Sequence, residues 1–162
     1  MHTMHFPRRV RTGTLMSLSF TYNPRMGFFA LNYWAVLAAA AANMAIGSLW
    51  YGPVFGAKWR SYLGLSMDDM HKMPLSPTQA MAFGTVTALV MSFVVAQLVF
   101  ALGIVTILEA AMLAFWLWLG FAVTLSAGSF LWEGRPAGLF LLNAAHWFVS
   151  FQVMTIILAW WL

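Results

Sequence analysis

The chain reads as an all-α membrane protein, four transmembrane helices arranged as two tandem antiparallel hairpins. Four apolar runs predict this: Leu31–Tyr51, Pro77–Leu102, Glu109–Trp132 and Ala137–Leu162 fill most of the 162 residues. Each run is about 20 residues or longer, enough to cross a ~30 Å hydrocarbon layer as a helix. Glu109, at the edge of its run, is the one formally charged residue in them. Composition agrees, with 62% hydrophobic and 7% charged residues against about 25% charged in soluble domains. A soluble domain of this size could not hide that much apolar surface. In lipid the backbone must satisfy its own hydrogen bonds, so the runs must be helical.

Residues 26–162 form a single domain with spans near 31–51, 77–102, 107–132 and 137–162. Residues 1–25 carry Arg8, Arg9, Arg11 and Arg25 and no acid, and their apolar patch, Leu15–Phe20, is too short to span. Two readings stand side by side: a basic tail at the membrane surface, or a stretch ahead of a true start at Met26. A cleaved signal peptide is a third, since Ala38–Ala42 offers small residues to a peptidase. The apolar run continues through Ile46 to Tyr51, which argues against cleavage.

The first span ends in Gly47-Ser-Leu-Trp-Tyr-Gly-Pro53, where Gly52 and Pro53 are expected to break the helix. Lys58, Trp59 and Arg60 follow as an interfacial anchor. Ser66 with Asp69 three positions on reads as a helix start, and a short surface helix should run to Met73 before Pro74 stops it. Ser76 as cap, Pro77 at the first helical position and Gln79 open the second span. Gly103–Val105 is a tight turn, and Thr106 with Glu109 forms a further capping box for the third span. Glu133-Gly-Arg-Pro136 is a short polar turn before the fourth. Connections this short make neighbouring helices antiparallel.

The first and third spans end alike, GSLWYGP over Gly47–Pro53 and GSFLWEGRP over Gly128–Pro136. This echo fits a tandem repeat of hairpins, although Gly, Trp and Pro are common at membrane exits in any case. Among the nine tryptophans, Trp34, Trp50, Trp59, Trp132, Trp160 and Trp161 lie near span ends, as in an interfacial belt. Trp116, Trp118 and Trp147 lie deeper and should pack between helices or face lipid.

The net charge of +4 does not point to nucleic acid, because the basic residues flank the spans, where they set topology and touch anionic head groups. Four basic residues fall on each side of the membrane, a tie. Residues close to a span count most, which favours a cytoplasmic location for the loop holding Lys58, Arg60 and Lys72. A near tie is also compatible with dual insertion. The expected location is the bacterial inner membrane, as a multi-pass protein whose partner is the lipid bilayer. Small residues in the first span (Ala38–Ala42, Ala45, Gly47), with Gly120, Ala127 and Gly128 in the third, permit close packing and homo-oligomer formation.

Two segments resemble a known family. Asn32-Tyr-Trp-Ala-Val-Leu, with Gly47-Ser-Leu-Trp-Tyr-Gly-Pro-Val-Phe-Gly-Ala-Lys-Trp59 and Leu63-Gly-Leu-Ser66, is similar to the opening of the bacterial and fungal domain of unknown function 1761 family. Trp132-Glu-Gly-Arg-Pro136 and Leu139-Phe-Leu-Leu-Asn143-Ala-Ala resemble its final hairpin. The likeness runs from about Asn32 to Leu162 and leaves out Met1–Arg25, which favours Met26 as the start. It implies a four-helix integral membrane protein and brings no activity, substrate or cofactor. His146 stands where the resemblance leads us to expect Gly-Tyr or a similar pair.

Polar groups inside a span are costly, so they are the candidate site. Asn143, His146 and Ser150 fall at i, i+3 and i+7 on the fourth span, within one narrow helical face. Asn43 and Gly47, with Tyr51 one turn on, make a similar face on the first. A bundle can bring the two together. The functional reading is a cavity handling a proton or a small molecule, with His146 the one titratable group near mid-span. The plainer reading is interhelical hydrogen bonding. Glu133 and Arg135 are candidates for head-group contact, Arg being suited to bidentate pairing, or simply fix their turn. Glu109 reads as a helix cap rather than a coupling carboxylate.

No catalytic, cofactor or metal set is expected. A transmembrane haem needs paired axial histidines, and only His146 lies within a span. A phosphate-cradling Gly-rich loop and His-Glu-x-x-His are both absent. The Met/Asp/His stretches at Met1–His5 and Met67–Met73 are too local to converge on an ion. With no cysteine, disulfide and thiolate chemistry is excluded. The leading expectation is therefore a non-enzymatic membrane protein that binds or passes an unidentified small molecule. An accessory subunit of a membrane complex is the alternative, and an embedded enzyme using His146 or Glu133 comes third.

Overall fold

A computed structural model describes residues 31–70 and 73–161. The readings of Met1–Arg25, of the start at Met26 and of Lys72 lie outside the described residues. Every regular element within them is helical: α1 (Tyr33–Leu49), a π-helical turn (Trp50–Val54), α2 (Gly56–Leu63), α3 (Met67–Met70), α4 (Pro77–Leu102), α5 (Ile107–Leu117), a second π-helical turn (Trp118–Val123), α6 (Thr124–Leu131) and α7 (Ala137–Trp161). Among the described residues four stretches are long and apolar enough to cross a membrane: span 1, Tyr33–Val54; span 2, Pro77–Leu102; span 3, Ile107–Leu131; span 4, Ala137–Trp161.

The helix starts follow the capping logic of the sequence. Asn32 caps α1, its Oδ1 accepting from the Trp34 N–H at 3.1 Å, while its Nδ2 donates to the Trp161 carbonyl at 3.2 Å and ties the start of span 1 to the end of span 4. Ser76 and Gln79, and Thr106 and Glu109, form reciprocal capping boxes at the starts of spans 2 and 3. The 102–107 connection is tight because Gly103 takes a left-handed conformation (φ +65°), letting the Ile104 N–H reach back to the Val99 carbonyl at 3.0 Å.

Packing proceeds along rows four residues apart, the spacing that puts side chains on one helix face. Ala35, Ala39 and Asn43 form the buried row of span 1; Ala88, Ser92 and Ala96 that of span 2; Ala110 and Ala114 that of span 3. On span 4 the row is Leu142, His146, Ser150, Met154 and Leu158. Small residues let the backbones approach closely, which is how helices associate where lipid removes the hydrophobic driving force. One buried hydrogen bond, Ser92 Oγ to the Val36 carbonyl at 2.8 Å, pins span 2 to span 1.

Spans 1 and 2 pack as one hairpin and spans 3 and 4 as the other. Span 4 is the centre of the bundle and touches spans 1, 2 and 3. Spans 2 and 3 make little direct contact despite their tight turn. An apolar cleft of about 670 Å³ opens between them, with Val90, Val94, Leu117 and Phe121 on its walls and Phe151 of span 4 among its lining residues.

In the first loop Gly52 and Pro53 break the helix, as the sequence leads us to expect. Pro53 has no N–H to donate and Gly52 takes a non-helical conformation (φ −97°, ψ −108°), so the chain widens into a π turn closed by Phe55 N–H to the Trp50 carbonyl at 2.9 Å. The chain then re-enters a helix, α2, where only an interfacial anchor was expected. The surface helix expected to reach Met73 is described as α3 over Met67–Met70. Ser66 holds Asp69 by both its hydroxyl, 2.6 Å, and its N–H, 2.9 Å, and these bonds lower the exposed carboxylate's pKa below the usual range.

Candidate functional site

The two polar faces meet. Span 1 contributes Asn43, Gly47, Trp50 and Tyr51, and span 4 contributes Asn143, His146 and Ser150. The Tyr51 hydroxyl donates to Asn143 Oδ1 at 2.9 Å. His146 lies under the open edge of Gly47: a Cβ added there would stand 3.6 Å from its Nε2. Around the imidazole stand the rings of Tyr51 (centroids 4.9 Å), Trp147 (5.0 Å) and Trp50 (5.9 Å). Ser150 Oγ, fully buried, lies 3.5 Å from His146 Nε2, at the long limit of a hydrogen bond. Asn43 is buried one turn before Gly47.

The site is built by local sequence. Without a side chain at Gly47, span 1 can pass close enough to His146 for Trp50 and Tyr51 to reach its ring. The π turn then carries the chain off the span axis. It takes α2 back against the start of span 4, where the outer end of the Tyr62 ring packs on Gly138, so closely that a Cβ at Gly138 would overlap it. Trp50, Phe55, Lys58, Tyr62, Leu142 and Ala145 border a pocket of about 350 Å³ there. Trp50 is thus shared: it edges the pocket and touches the histidine.

The hydrogen-bond count at the seam is incomplete. His146 Nδ1 and Trp50 Nε1 are buried and have no hydrogen-bond partner among the described residues. Whichever tautomer the imidazole takes, Ser150 can engage only Nε2, so Nδ1 is left either as a donor without an acceptor or as an acceptor without a donor. An unmet polar group in such a site costs about 1–3 kcal/mol. The seam therefore offers an imidazole nitrogen, an indole N–H and an amide in one place, suited to hydrogen-bonding an organic ligand or water. Among the described residues, His, Asp and Glu gather nowhere in groups of three.

Glu133 and Arg135 do not join this cluster. They sit exposed in the turn before α7, with Arg135 Nε 4.0 Å from Glu133 Oε2. Glu109 caps its helix at the other end of span 3 and accepts from the Val105 and Thr106 N–H groups. The role of Trp50 is not legible in the sequence, and that of Trp118 reads only as packing between helices or facing lipid. Trp50, assigned to the interfacial belt, turns inward. Trp118 opens the π turn of span 3 and donates its indole N–H to the Ala144 carbonyl at 2.7 Å, fastening span 3 to span 4 two residues from His146. The sequence signal for Trp50 is the nearby Gly52, and for Trp118 its depth in the span beside Gly120.

Fold and seam together define a small polytopic integral membrane protein with one polar constellation inside its bundle. Residues 34–159 match the model of the family described as "Protein of unknown function (DUF1761)". The chain belongs to that family. No curated protein and no solved structure matches it.

Proposed function

We propose that this protein is a non-enzymatic component of the bacterial inner membrane that binds a small polar molecule at the seam between spans 1 and 4 and passes it along that seam. One observation carries the reading: His146 is buried with its Nδ1 unpartnered, beside an equally unpartnered Trp50 indole N–H. Helix packing alone would be served better by an apolar pair at these positions, since an unmet polar group destabilises the bundle. Tyr51 and Asn143, already bonded to each other, would fix the ligand's orientation.

The test compares wild type, His146→Ala and Asn143→Ala, purified with native lipids. Native mass spectrometry should find one co-purifying small molecule on wild type and none on either variant, with melting temperatures showing that both remain folded. Folded variants that keep the same molecule would end the proposal.

A second reading, an accessory subunit or homo-oligomer, rests on span 3. Its face carries Trp116, Phe121 and Leu125, all exposed, and its cleft with span 2 is apolar. That reading predicts a fixed protein stoichiometry that His146→Ala leaves unchanged.

A further inference from the structure

The pocket between α2 and span 4 has a chemistry that the seam lacks. Its walls are the rings of Trp50, Phe55 and Tyr62, and its floor is the aliphatic side of span 4. Its one formal charge is Lys58, whose ammonium stands 5.9 Å from the centroid of the Tyr62 ring. Among the described residues Lys58 has no carboxylate partner. The position is interfacial, since α2 follows the end of span 1 and lies against the beginning of span 4. From Gly138 the floor descends to Ala145, seven residues, or about 10 Å of helix, into the hydrocarbon layer.

We infer that this pocket holds an anionic phospholipid, with its phosphate on Lys58 and its upper acyl chain running down span 4 past Leu142 and Ala145. The pocket's volume, about 350 Å³, suits a head group and the first carbons of a chain whose remainder stays in the bilayer. Three features select this occupant over a soluble anion. The cation is backed by aromatic faces, which favour amphiphiles at the interface. The floor is apolar and continuous with the membrane. The closeness of Lys58 and Arg60 to the end of span 1 also favours the cytoplasmic side for this loop, where anionic lipids attract basic residues. The inference is independent of the proposed seam ligand, although Trp50 borders both.

Gly138 makes the pocket. Because a side chain there would collide with the outer end of the Tyr62 ring, a large residue displaces that ring and opens the aromatic wall.

The test uses the full chain in nanodiscs of phosphatidylcholine doped with equal small amounts of phosphatidylglycerol or palmitate, transferred to the gas phase for native mass spectrometry. Wild type should retain one phosphatidylglycerol at least fivefold over phosphatidylcholine. Lys58→Gln, a surface substitution that leaves the fold intact, should bring that preference to within twofold. Gly138→Leu should abolish retention, and His146→Ala should leave it unchanged. Arg135→Gln, which removes another cation outside the pocket, should also leave it unchanged. Equal retention of the two phospholipids, or an equal loss in Arg135→Gln, would overturn the site. Preferential retention of palmitate would overturn the phospholipid as its occupant.

Discussion

Spans 1 and 3 close with nearly the same residues, Gly47–Pro53 and Gly128–Pro136, yet the bundle treats them in opposite ways. In span 1, Gly47 faces His146 across the helix interface, and Trp50 turns inward with its indole nitrogen buried. In span 3, Gly128 has nothing within 4 Å of where a Cβ would stand, and Trp132 is 86% exposed. The π turn falls at the exit of span 1 but well inside span 3, at Trp118–Val123. Only 11% of the most apolar stretch of span 3 is buried, against 39% of that of span 4. A Gly-Ser…Trp…Gly-Pro exit therefore has no fixed structural meaning. What it becomes depends on the helix opposite, and span 4 offers a histidine to one exit and none to the other.

The most forceful way to break this contrast is to fill the two glycines. Gly47→Leu would drive a branched side chain into His146 and should destabilise the bundle by about 1–3 kcal/mol through overpacking. Gly128→Leu, facing open space, should stay within about 0.5 kcal/mol. Unfolding midpoints in mixed detergent would show the difference. Equal effects would mean that the two exits are equivalent after all.

Next in size is the tryptophan pair. Trp118→Phe loses the bond to the Ala144 carbonyl and should cost about 1 kcal/mol, while Trp132→Phe should cost almost nothing. The same unfolding assay reads both. Smaller still is Tyr51→Phe. It removes the Asn143 bond and should cost about 0.6 kcal/mol, the usual size for a polar pair between spans. A double-mutant cycle with Asn143→Ala isolates that coupling, and a value near zero would detach Tyr51 from the seam.

The smallest effect lies outside the spans. Asp69 has its pKa lowered by Ser66, so its contribution to the α3 cap is complete above the unfolded-state value. That contribution is lost only as pH falls through the lowered folded-state value. The Ser66 amide resonance should therefore titrate with a midpoint below that of an aspartate in an unfolded chain. A midpoint equal to that of an unfolded-chain aspartate would mean the cap does not form.

The legible and illegible parts of the chain divide on locality. Ser76 with Gln79 and Thr106 with Glu109 could be read from sequence because a capping box is decided by four consecutive residues. The Asn143, His146 and Ser150 face could be read because helical periodicity alone aligns it, and Gly47 with Tyr51 supplied a matching face. Residues 50–63 could not. Gly52-Pro53 reads correctly as a break, but the helix that follows it packs through Tyr62 on Gly138, 76 positions away. The inward turn of Trp50 is of the same kind, since a tryptophan at a span end looks identical whether it faces head groups or a histidine. The π turn of span 3 has no local signature beyond Gly120, and Trp118 is held there by a carbonyl on another helix.

The seam's function rests on His146 Nδ1, a buried nitrogen without a partner among the described residues. The measurement that addresses it most directly is ¹⁵N solid-state NMR of histidine-labelled protein in bilayers, with His146→Ala to assign the signal. If the seam is a binding site, the Nδ1 resonance should shift when co-purified small molecules are washed out and return when the extract is added back. An Nδ1 signal that stays the same through both steps would contradict the account and make the polar seam a packing feature.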